Sequence, residues 1–336
     1  MNSDTEEFSH EYASLNPDRI LNTLDRILAS QNLLCSGHVL ALNSYENRVY
    51  QVGIEDDKDL IAKFYRPGRW SKEAILEEHA FALEAVEAEL PVVPPLLIDG
   101  QSLFEEDGFF IALFRKQGGH SGQIEQLDDF EQMGRLLGRL HQVANSIDIK
   151  HRPQMTPQTF IKDSLSFLYE HDLIEESIRS AYQSLANDIV QLVDEKWQQH
   201  QPKLQLSHSD LHASNLLWVD HTPYMLDLDD CRLSPRIQDM WMLLYGERSD
   251  MLAQLSAMSD GYEMFLPFPH NQLGLIEVMR TMRIIHYSAW LGKRWSDPAF
   301  KQAFPWFESP RYWSDQVLTL REQFANMQEP SLQLTY

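Results

Sequence analysis

Short apolar runs separated by polar turns dominate the first third of the chain, a pattern typical of β-strands. The runs cover residues 39–42, 49–54, 60–65, 91–98 and 109–114. A longer segment, residues 71–90, has apolar residues at helical spacing, with Ser71 as the predicted N-cap and Pro91 after its end. This part of the chain is therefore predicted to be a small antiparallel sheet with one main helix.

Helical periodicity covers most of the remaining chain. The predicted helices include residues 17–28, 128–144, 175–197 and 276–291. Asp128 and Glu131 are predicted to open one of them as a capping box. The segment 115–122 contains three glycines and has the composition of a linker. We therefore predict an α+β protein with a smaller domain, residues 1–115, and a larger, mostly helical domain, residues 116–336.

The composition excludes several classes of protein. The chain has 336 residues, 43% hydrophobic and 23% charged, which is normal for a globular protein. The formal net charge of −22 argues against a general nucleic-acid binder. No run of about 18 apolar residues is present, the first ten residues are acidic rather than signal-like, and only Cys35 and Cys231 occur. We expect a cytoplasmic protein without membrane or nucleic-acid partners.

The strongest chemical signal lies in residues 204–230. An apolar run leads into the polar loop HSDLHASN, and a predicted hairpin then ends at Asp227 in the sequence DLDD. This order is expected to bring Asp210, Asn215 and Asp227 close together. Such hard oxygen ligands suit Mg²⁺, which takes only one or two protein carboxylates beside substrate phosphates.

The HSDLHASN loop and the DLDD segment resemble the catalytic loop and the metal-binding Asp of the kinase-like fold, in its aminoglycoside phosphotransferase and choline kinase branch. The resemblance implies a bilobal protein kinase-like fold with ATP as co-substrate. It also implies that Asp210 accepts the proton of the acceptor hydroxyl. Asn215 and Asp227 are implied to hold Mg²⁺, and Asp227 is counted with Asp210 as catalytic.

The small sheet and its helix are implied to bind the nucleotide. The resemblance equates Lys63 with the strand lysine of kinases, which binds the phosphates and pairs with a helix Glu; the alternative is an edge lysine that reaches water. Glu78 borders the apolar face of the predicted helix, whereas Glu77 points away from it, so Glu78 is the expected partner. Ser44 lies where kinases carry a glycine-rich loop. Its hydroxyl and the nearby N–H groups are candidate phosphate contacts, although this sequence is also ordinary turn chemistry.

Several neighbours of the loop carry further expectations. In kinase-like folds an Asp after the metal-binding segment braces the catalytic loop, so Asp239 is a candidate for that role; the alternative is an ordinary first-turn acid. Ser209 and Ser214 stand where this branch often has glycine, so strain is expected if either needs a positive φ. His208 and His212 are not predicted to bind zinc, because the segment has loop character and no third ligand nearby.

The resemblance extends over nearly the whole chain. The segments LNSYENRVYQ, ILEEH, IQD-x-WMLL and FPW resemble the bacterial stress response kinase A family. That family is implied to be a monomeric, cytoplasmic, Mg²⁺- and ATP-dependent kinase, so we predict a non-specific serine/threonine protein kinase with a protein substrate. One alternative is a small-molecule kinase for an amino alcohol, homoserine or aminoglycoside hydroxyl. Another is a pseudokinase, against which the presence of Lys63, Asp210, Asn215 and Asp227 argues.

Two last expectations concern reactivity and the acceptor. Cys231 follows two acidic residues that raise a thiol pKa, so we predict an inert thiol. The segment from Asp227 to Asp239 is too short for a long activation loop, so the larger domain is expected to receive the acceptor. The net charge of −22 predicts a negative surface around Asp210 that attracts basic protein segments.

Overall fold

The computed structural model describes residues 15–122 and 124–334, which divide into two compact units. Neither unit is continuous in sequence. Unit 1 contains residues 15–122, 146–152 and 212–230, and unit 2 contains residues 124–145, 153–211 and 231–334. The expectation about the acidic first ten residues concerns residues outside those described.

Strands dominate the first third of the chain and helices dominate the rest, as the periodicity predicts. The strands are β1 (Cys35–Ala41), β2 (Arg48–Ile54), β3 (Leu60–Phe64), β4 (Phe104–Glu106), β5 (Phe109–Arg115), β6 (Leu204–Ser207), β7 (Leu216–Val219), β8 (Thr222–Met225) and β9 (Arg232–Pro235). The helices are α1 (Pro17–Leu28), α2 (Lys72–Glu87), α3 (Leu127–Ala144), α4 (Asp163–Glu170), α5 (Glu176–His200), α6 (Gln238–Trp241), α7 (Arg248–Tyr262), α8 (Ile276–Lys293), α9 (Pro298–Ala303) and α10 (Pro310–Gln328). The α+β class is confirmed.

Unit 1 is built on a five-stranded antiparallel sheet with the strand order β1-β2-β3-β5-β4. The central strand β3 places Lys63 opposite Val49 on β2 and opposite Ala112 on β5. The apolar stripe of α1, including Ile20 and Leu24, is buried in one core cluster with residues of the sheet. The predicted small antiparallel sheet is therefore confirmed.

Helix α2 begins where the sequence predicts. The hydroxyl of Ser71 accepts a hydrogen bond from the Ala74 N–H at 3.2 Å, as an N-cap does. The predicted strand over residues 91–98 is wrong, because prolines at 91, 94 and 95 remove the donors that a ladder needs. Only isolated bridges form there, such as the one between Val92 and Met225, and the short β4 pairs with β5 instead.

Unit 2 is mostly helical, and its helices approach closely where glycines allow it. A Cβ at Gly134 on α3 would meet the main-chain carbonyl of Met258 on α7, and one at Gly261 would meet that of Glu131. The predicted capping box at Asp128 is wrong, because α3 already begins at Leu127 and Asp128 lies inside its first turn.

A two-stranded ladder, β6 with β9, completes unit 2. It pairs Leu204 with Pro235 and Ser207 with Arg232. Because the last pair of the ladder holds Ser207, the ladder fixes the point from which the loop beginning at His208 leaves the strand. Within the described parts of the chain, no helix is both long and apolar enough to cross a membrane.

Candidate active site

Lys63 lies at the centre of a buried cluster of charged groups in unit 1. Its Nζ atom is 3.0 Å from Oδ1 of Asp227, 3.3 Å from Oδ1 of Asp229 and 3.4 Å from Oε1 of Glu78. Lys63, Glu78 and Asp229 are almost wholly buried, whereas 53% of the Asp227 side chain is exposed. The predicted contact between Lys63 and Glu78 is confirmed, and the alternative of an edge lysine that reaches water is wrong.

The charges in this cluster shift one another's pKa values. Burial alone lowers the pKa of a lysine, but Asp227, Asp229 and Glu78 outweigh it and hold the pKa of Lys63 well above its ordinary value. Burial raises the pKa of Glu78 to about 7, because Lys63 divides its attraction among three carboxylates and offsets only part of the desolvation. Burial acts in the same direction on Asp229, yet Arg69 and Lys63 lower its pKa overall. Asp229 is therefore ionised more readily than Glu78, whose pKa lies near 7.

Two neighbouring acids on α2 make different contacts. Oε1 of Glu78 accepts a hydrogen bond from the Tyr65 hydroxyl at 3.2 Å, and its Oε2 lies 4.0 Å from Nη1 of Arg152. Glu77 instead accepts hydrogen bonds from the backbone N–H groups of residues 150–152, at 2.7 to 3.0 Å. The helix geometry thus separates the two carboxylates as the sequence predicts, with only Glu78 directed at Lys63.

Asp229 is a central member of the cluster that the sequence analysis missed. Its carboxylate pairs with the guanidinium of Arg69 and accepts a hydrogen bond from Nδ2 of Asn47 at 3.1 Å. Its carbonyl oxygen accepts a hydrogen bond from Arg152. The sequence offered one signal for this residue. Arg69 lies among aromatic residues in the segment KFYRPGRW, which predicts that its side chain is buried, and a buried guanidinium needs a carboxylate as partner.

The loop of residues 42–47, between β1 and β2, is held by its own side chains. Oε1 of Glu46 lies 3.3 Å from Nε of Arg66, and Oδ1 of Asn47 accepts a hydrogen bond from the Arg66 N–H at 3.1 Å. Ser44 lies in this loop with a half-buried side chain. An ion pair of Glu46 and a hydrogen bond to the Asn47 side chain therefore hold the conformation of this loop, which contains no glycine.

The β7–β8 hairpin brings Asn215 and Asp227 to one end of unit 1. Leu216 pairs with Met225, and the Leu226 N–H donates to the Asn215 carbonyl at 2.9 Å. Asp227 has a φ of +56°, which aspartate tolerates better than most residues. Among residues 15–122 and 124–334, no three His, Cys, Asp or Glu side chains are grouped as a metal site. An amide oxygen with a half-exposed carboxylate fits Mg²⁺, which needs few protein ligands beside phosphates.

In unit 2, Asp239 braces the loop that carries Asp210. Its carboxylate accepts hydrogen bonds from the backbone N–H groups of His208, at 2.8 Å, and Ser209, at 2.6 Å. Nε2 of His141 lies 3.0 Å from the same carboxylate, and both side chains are fully buried. The expected bracing contact of Asp239 is confirmed.

Ser209 has a φ of +67°, so the strain expected for a serine at this position is present. The loop compensates with contacts on both sides of the residue. The Ser209 N–H is bound by Asp239, and its carbonyl oxygen accepts a hydrogen bond from Nε2 of Gln238 at 2.9 Å. Two buried side chains of one short helix therefore hold the backbone just before Asp210.

Asp210 itself contacts a cation that the sequence analysis did not single out. Its Oδ1 lies 2.7 Å from Nη1 of Arg283 on α8, with both side chains partly exposed. Asp210 belongs to unit 2, whereas Ser44, Lys63, Glu78, Asn215 and Asp227 belong to unit 1. The division between the units falls within the HSDLHASN loop, after Leu211. The structure thus brings together Lys63, Glu78 and Asp227 in one unit and Asp210, Asp239 and Arg283 in the other.

Comparison with known families defines the class of this protein. A model of the phosphotransferase enzyme family matches residues 38–271, a range that includes every candidate residue from Ser44 to Asp239. Solved structures agree on the fold. Amicoumacin kinase hAmiN aligns with a TM-score of 0.68 over 89% of this chain and 90% of its own, at 18% identity. Choline kinase LicA from Streptococcus pneumoniae aligns with a TM-score of 0.61 over 92% and 99%, at 15% identity. The protein is a phosphotransferase with a kinase-like fold.

Relatives at higher identity narrow this class. Stress response kinase A of Escherichia coli O157:H7 is 40% identical over 324 residues, which cover 96% of this chain and 97% of the relative. A protein of Salmonella typhimurium strain LT2 named serine/threonine protein kinase RdoA is 39% identical with the same coverage. The chain belongs to the stress response kinase A family.

Proposed function

We propose that this phosphotransferase is a Mg²⁺- and ATP-dependent serine/threonine protein kinase of the bacterial stress response. The observation that carries the proposal is the similarity to RdoA, which is named a serine/threonine protein kinase and matches this chain at 39% identity over 96% of its length. We assign the protein to the non-specific serine/threonine kinases, acting on hydroxyl groups of protein substrates.

The buried cluster in unit 1 is the proposed nucleotide-binding part. Phosphoryl transfer asks a protein mainly to position the reactants and to stabilise charge. Lys63, kept cationic by three carboxylates, is suited to bind phosphate oxygens, and Glu78 fixes the direction of its side chain. Ser44 is proposed to contact the phosphates from the loop between β1 and β2. Lys63 has three donors and three carboxylate partners, so it would exchange one contact, such as that with the exposed Asp227, for a phosphate oxygen.

Asn215 and Asp227 are the proposed ligands of Mg²⁺. When bound, the ion neutralises charge on the phosphate oxygens. Asp227 already lies 3.0 Å from Lys63. One carboxylate would therefore link the lysine and the metal ligand set, which is why we count Asp227 as catalytic.

Asp210 is the proposed base. A carboxylate can accept the proton of an acceptor hydroxyl as its oxygen bonds to the γ-phosphorus and the bond from that phosphorus to the ADP oxygen breaks, which releases ADP. Such base catalysis contributes roughly 10² to 10⁴-fold. Asp239 acts on this step through the backbone of His208 and Ser209, which it holds by two hydrogen bonds. It is a positioning residue in this proposal.

The second candidate function is transfer to a small hydroxyl compound. The observation in its favour is that structural neighbours carry names such as amicoumacin kinase, aminopropanol kinase and choline kinase. Their identity to this chain is 15 to 18%, so they define the fold rather than the acceptor. A monomeric state, a cytoplasmic location and the lack of nucleic-acid partners are kept as predictions from the sequence.

One incubation separates the two functions. The protein is mixed with Mg²⁺ and ATP labelled at the γ-phosphate, and then with an acidic generic protein, a basic generic protein, or a panel of amino alcohols, homoserine and aminoglycosides. The protein-kinase proposal predicts labelled phosphoserine or phosphothreonine in a protein, and about 10² to 10⁴-fold slower labelling with the Asp210→Asn variant. Transfer only to a small compound overturns it and favours the second candidate.

A further inference from the structure

Arg283 forms an ion pair with the proposed base from a distant part of the chain. It lies on α8 of unit 2, and its Nη1 atom is 2.7 Å from Oδ1 of Asp210. The Asp210 side chain is 23% exposed and that of Arg283 39%, so solvent molecules and ligands can reach both groups. An ionised carboxylate offers about four acceptor positions, so the contact with Arg283 leaves room for an acceptor hydroxyl on Asp210.

The loop around the base contains no other permanent cation. Its sequence, HSDLHASN, has neither lysine nor arginine. The nearest cation on the same helix, Arg280, pairs with Glu277 at 3.5 Å and stacks over Trp241. Arg283 therefore places a positive charge beside Asp210, where an acceptor would bind.

Two further basic residues of unit 2, His286 and Arg232, contact the ring of Phe160. His286 follows Arg283 by three residues on α8 and stacks on Phe160, with ring centroids 4.4 Å apart. Arg232 also contacts Phe160, with its guanidinium carbon 5.1 Å from the centroid of the Phe160 ring. Arg232 is the residue paired with Ser207, where β6 ends and the loop to Asp210 begins. The sequence predicts a negative surface around Asp210, and the structure places the guanidinium of Arg283 directly against that carboxylate.

We propose that Arg283 determines acceptor specificity by selecting hydroxyl groups whose immediate neighbours are neutral or acidic. A cationic group a few ångströms from a guanidinium is repelled, and a carboxylate or phosphate in the same place can form a two-pronged, charge-assisted pair with it. The proposal rests on the role of Asp210 in the proposed function, and it adds the chemical class of the acceptor. Overall negative charge can still steer basic proteins towards the enzyme, but the residues flanking the phosphorylated hydroxyl are expected to be acidic.

The test compares matched acceptors that differ only in charge. One series uses serine peptides of equal length, flanked by glutamate, glutamine or lysine. A second series uses a cationic amino alcohol (ethanolamine), a neutral diol (propanediol) and an anionic hydroxy acid (glycerate). The enzymes are wild type, Arg283→Gln, Arg283→Glu and, as a matched control one turn earlier on the same helix, Arg280→Gln. Thermal unfolding and the KM for ATP verify that each variant is folded and binds nucleotide.

We expect the ratio of kcat/KM for glutamate-flanked over lysine-flanked peptides to be about five- to tenfold in wild type and in Arg280→Gln. The ratio is expected to fall below about twofold in Arg283→Gln and to invert in Arg283→Glu, with the KM for ATP unchanged. If this ratio of kcat/KM values is the same in wild type and in both Arg283 variants, the proposal is overturned, even if kcat is lower in the two variants. That result would give Arg283 a positioning role only.

The small acceptors separate failure of this proposal from failure of the proposed function. If no peptide is phosphorylated but small compounds are, the protein-kinase assignment fails. The charge order among the small compounds then tests Arg283 by itself. Preference for glycerate or propanediol that Arg283→Gln abolishes supports the proposal, and preference for ethanolamine in wild type overturns it.

Discussion

The ammonium group of Lys63 lies 3.4 Å from the Glu78 carboxylate, and both side chains are almost wholly buried in unit 1. This pair joins the central strand β3 to helix α2. Because the same lysine also contacts Asp227, the pair connects the helix to one of the two residues proposed to hold Mg²⁺. Protonation of Glu78 is therefore expected to affect both stability and nucleotide binding.

The raised pKa of Glu78 predicts a specific pH dependence of stability. Its pKa rises from 4.5 to about 7 in the folded protein, so between these values the folded state binds a proton that the unfolded state has released. The free energy of unfolding of wild type should consequently fall, relative to Glu78→Gln, as pH rises from about 4.5 to 7, by up to about 1.4 kcal/mol per pH unit.

Urea denaturation of both proteins at several pH values measures this difference. Burial lowers the pKa of His79 to about 3, which makes the stability of both proteins rise with pH below 6.5, so this contribution cancels in the difference. Parallel curves for wild type and Glu78→Gln would show that Glu78 has an ordinary pKa.

Asp227→Asn should lower kcat/KM by at least about 10²-fold, because the proposed metal ligand set loses its carboxylate and Lys63 loses a partner. Asparagine keeps the shape and tolerates the φ of +56°, so the change removes charge without adding backbone strain. The matched control is Asp220→Asn, at an exposed position with positive φ in the turn of the same hairpin. The prediction is checked by initial rates of phosphoryl transfer at saturating Mg²⁺. Activity of Asp227→Asn within about twofold of wild type would contradict the role of Asp227 as a metal ligand.

Asp239→Ala should lower kcat by about 10²-fold while the KM for ATP stays nearly constant, since the variant displaces the loop that carries Asp210. It should also destabilise unit 2 by about 1–3 kcal/mol for each backbone N–H of His208 and Ser209 that loses its acceptor. Asp260→Asn, at an exposed position on α7, is the control. If kcat and the KM for ATP change in parallel, Asp239 does not act through the loop.

Neither cysteine should sense oxidants. The Cys231 side chain is fully buried, and burial together with Asp25 raises the pKa of Cys35 to about 12. Reactivity needs both access and thiolate character. Peroxide should therefore inactivate wild type and Cys231→Ala at the same slow rate, and protection by the substitution would contradict this prediction.

Most helices and strands, and the motif formed by the HSDLHASN loop and DLDD, were predictable from the sequence, because they depend on residues close together in the chain. Helix periodicity separates Glu78 from Glu77, and the spacing of the HSDLHASN loop and DLDD predicts the hairpin that follows the loop. The two wrong predictions of secondary structure also have causes that lie close by in the sequence. Three prolines prevent a strand over residues 91–98, and the N-cap of α3 is Gln126, two positions before Asp128, so no capping box forms there.

The partners of the site residues were not predictable, because they come from distant segments. Asp229 meets Arg69 from 160 positions away, and Asp210 meets Arg283 from 73 positions away. Periodicity places each residue on an element but does not say which elements pack together. Buried charges such as Asp229 could be suspected from the arginines in apolar context, whereas nothing in the sequence around Arg283 relates it to Asp210.

The measurement that tests the central claim most directly compares Asp210→Asn with wild type in two assays at once. Phosphoryl transfer from ATP to a protein serine or threonine is measured as an initial rate, and ATP binding in the presence of Mg²⁺ is measured at equilibrium. We predict that transfer falls by about 10² to 10⁴-fold while the Kd for ATP stays within about twofold, because the variant removes a base and leaves the nucleotide-binding cluster intact. Unchanged transfer, or a loss of ATP affinity that matches the loss of rate, would contradict the account.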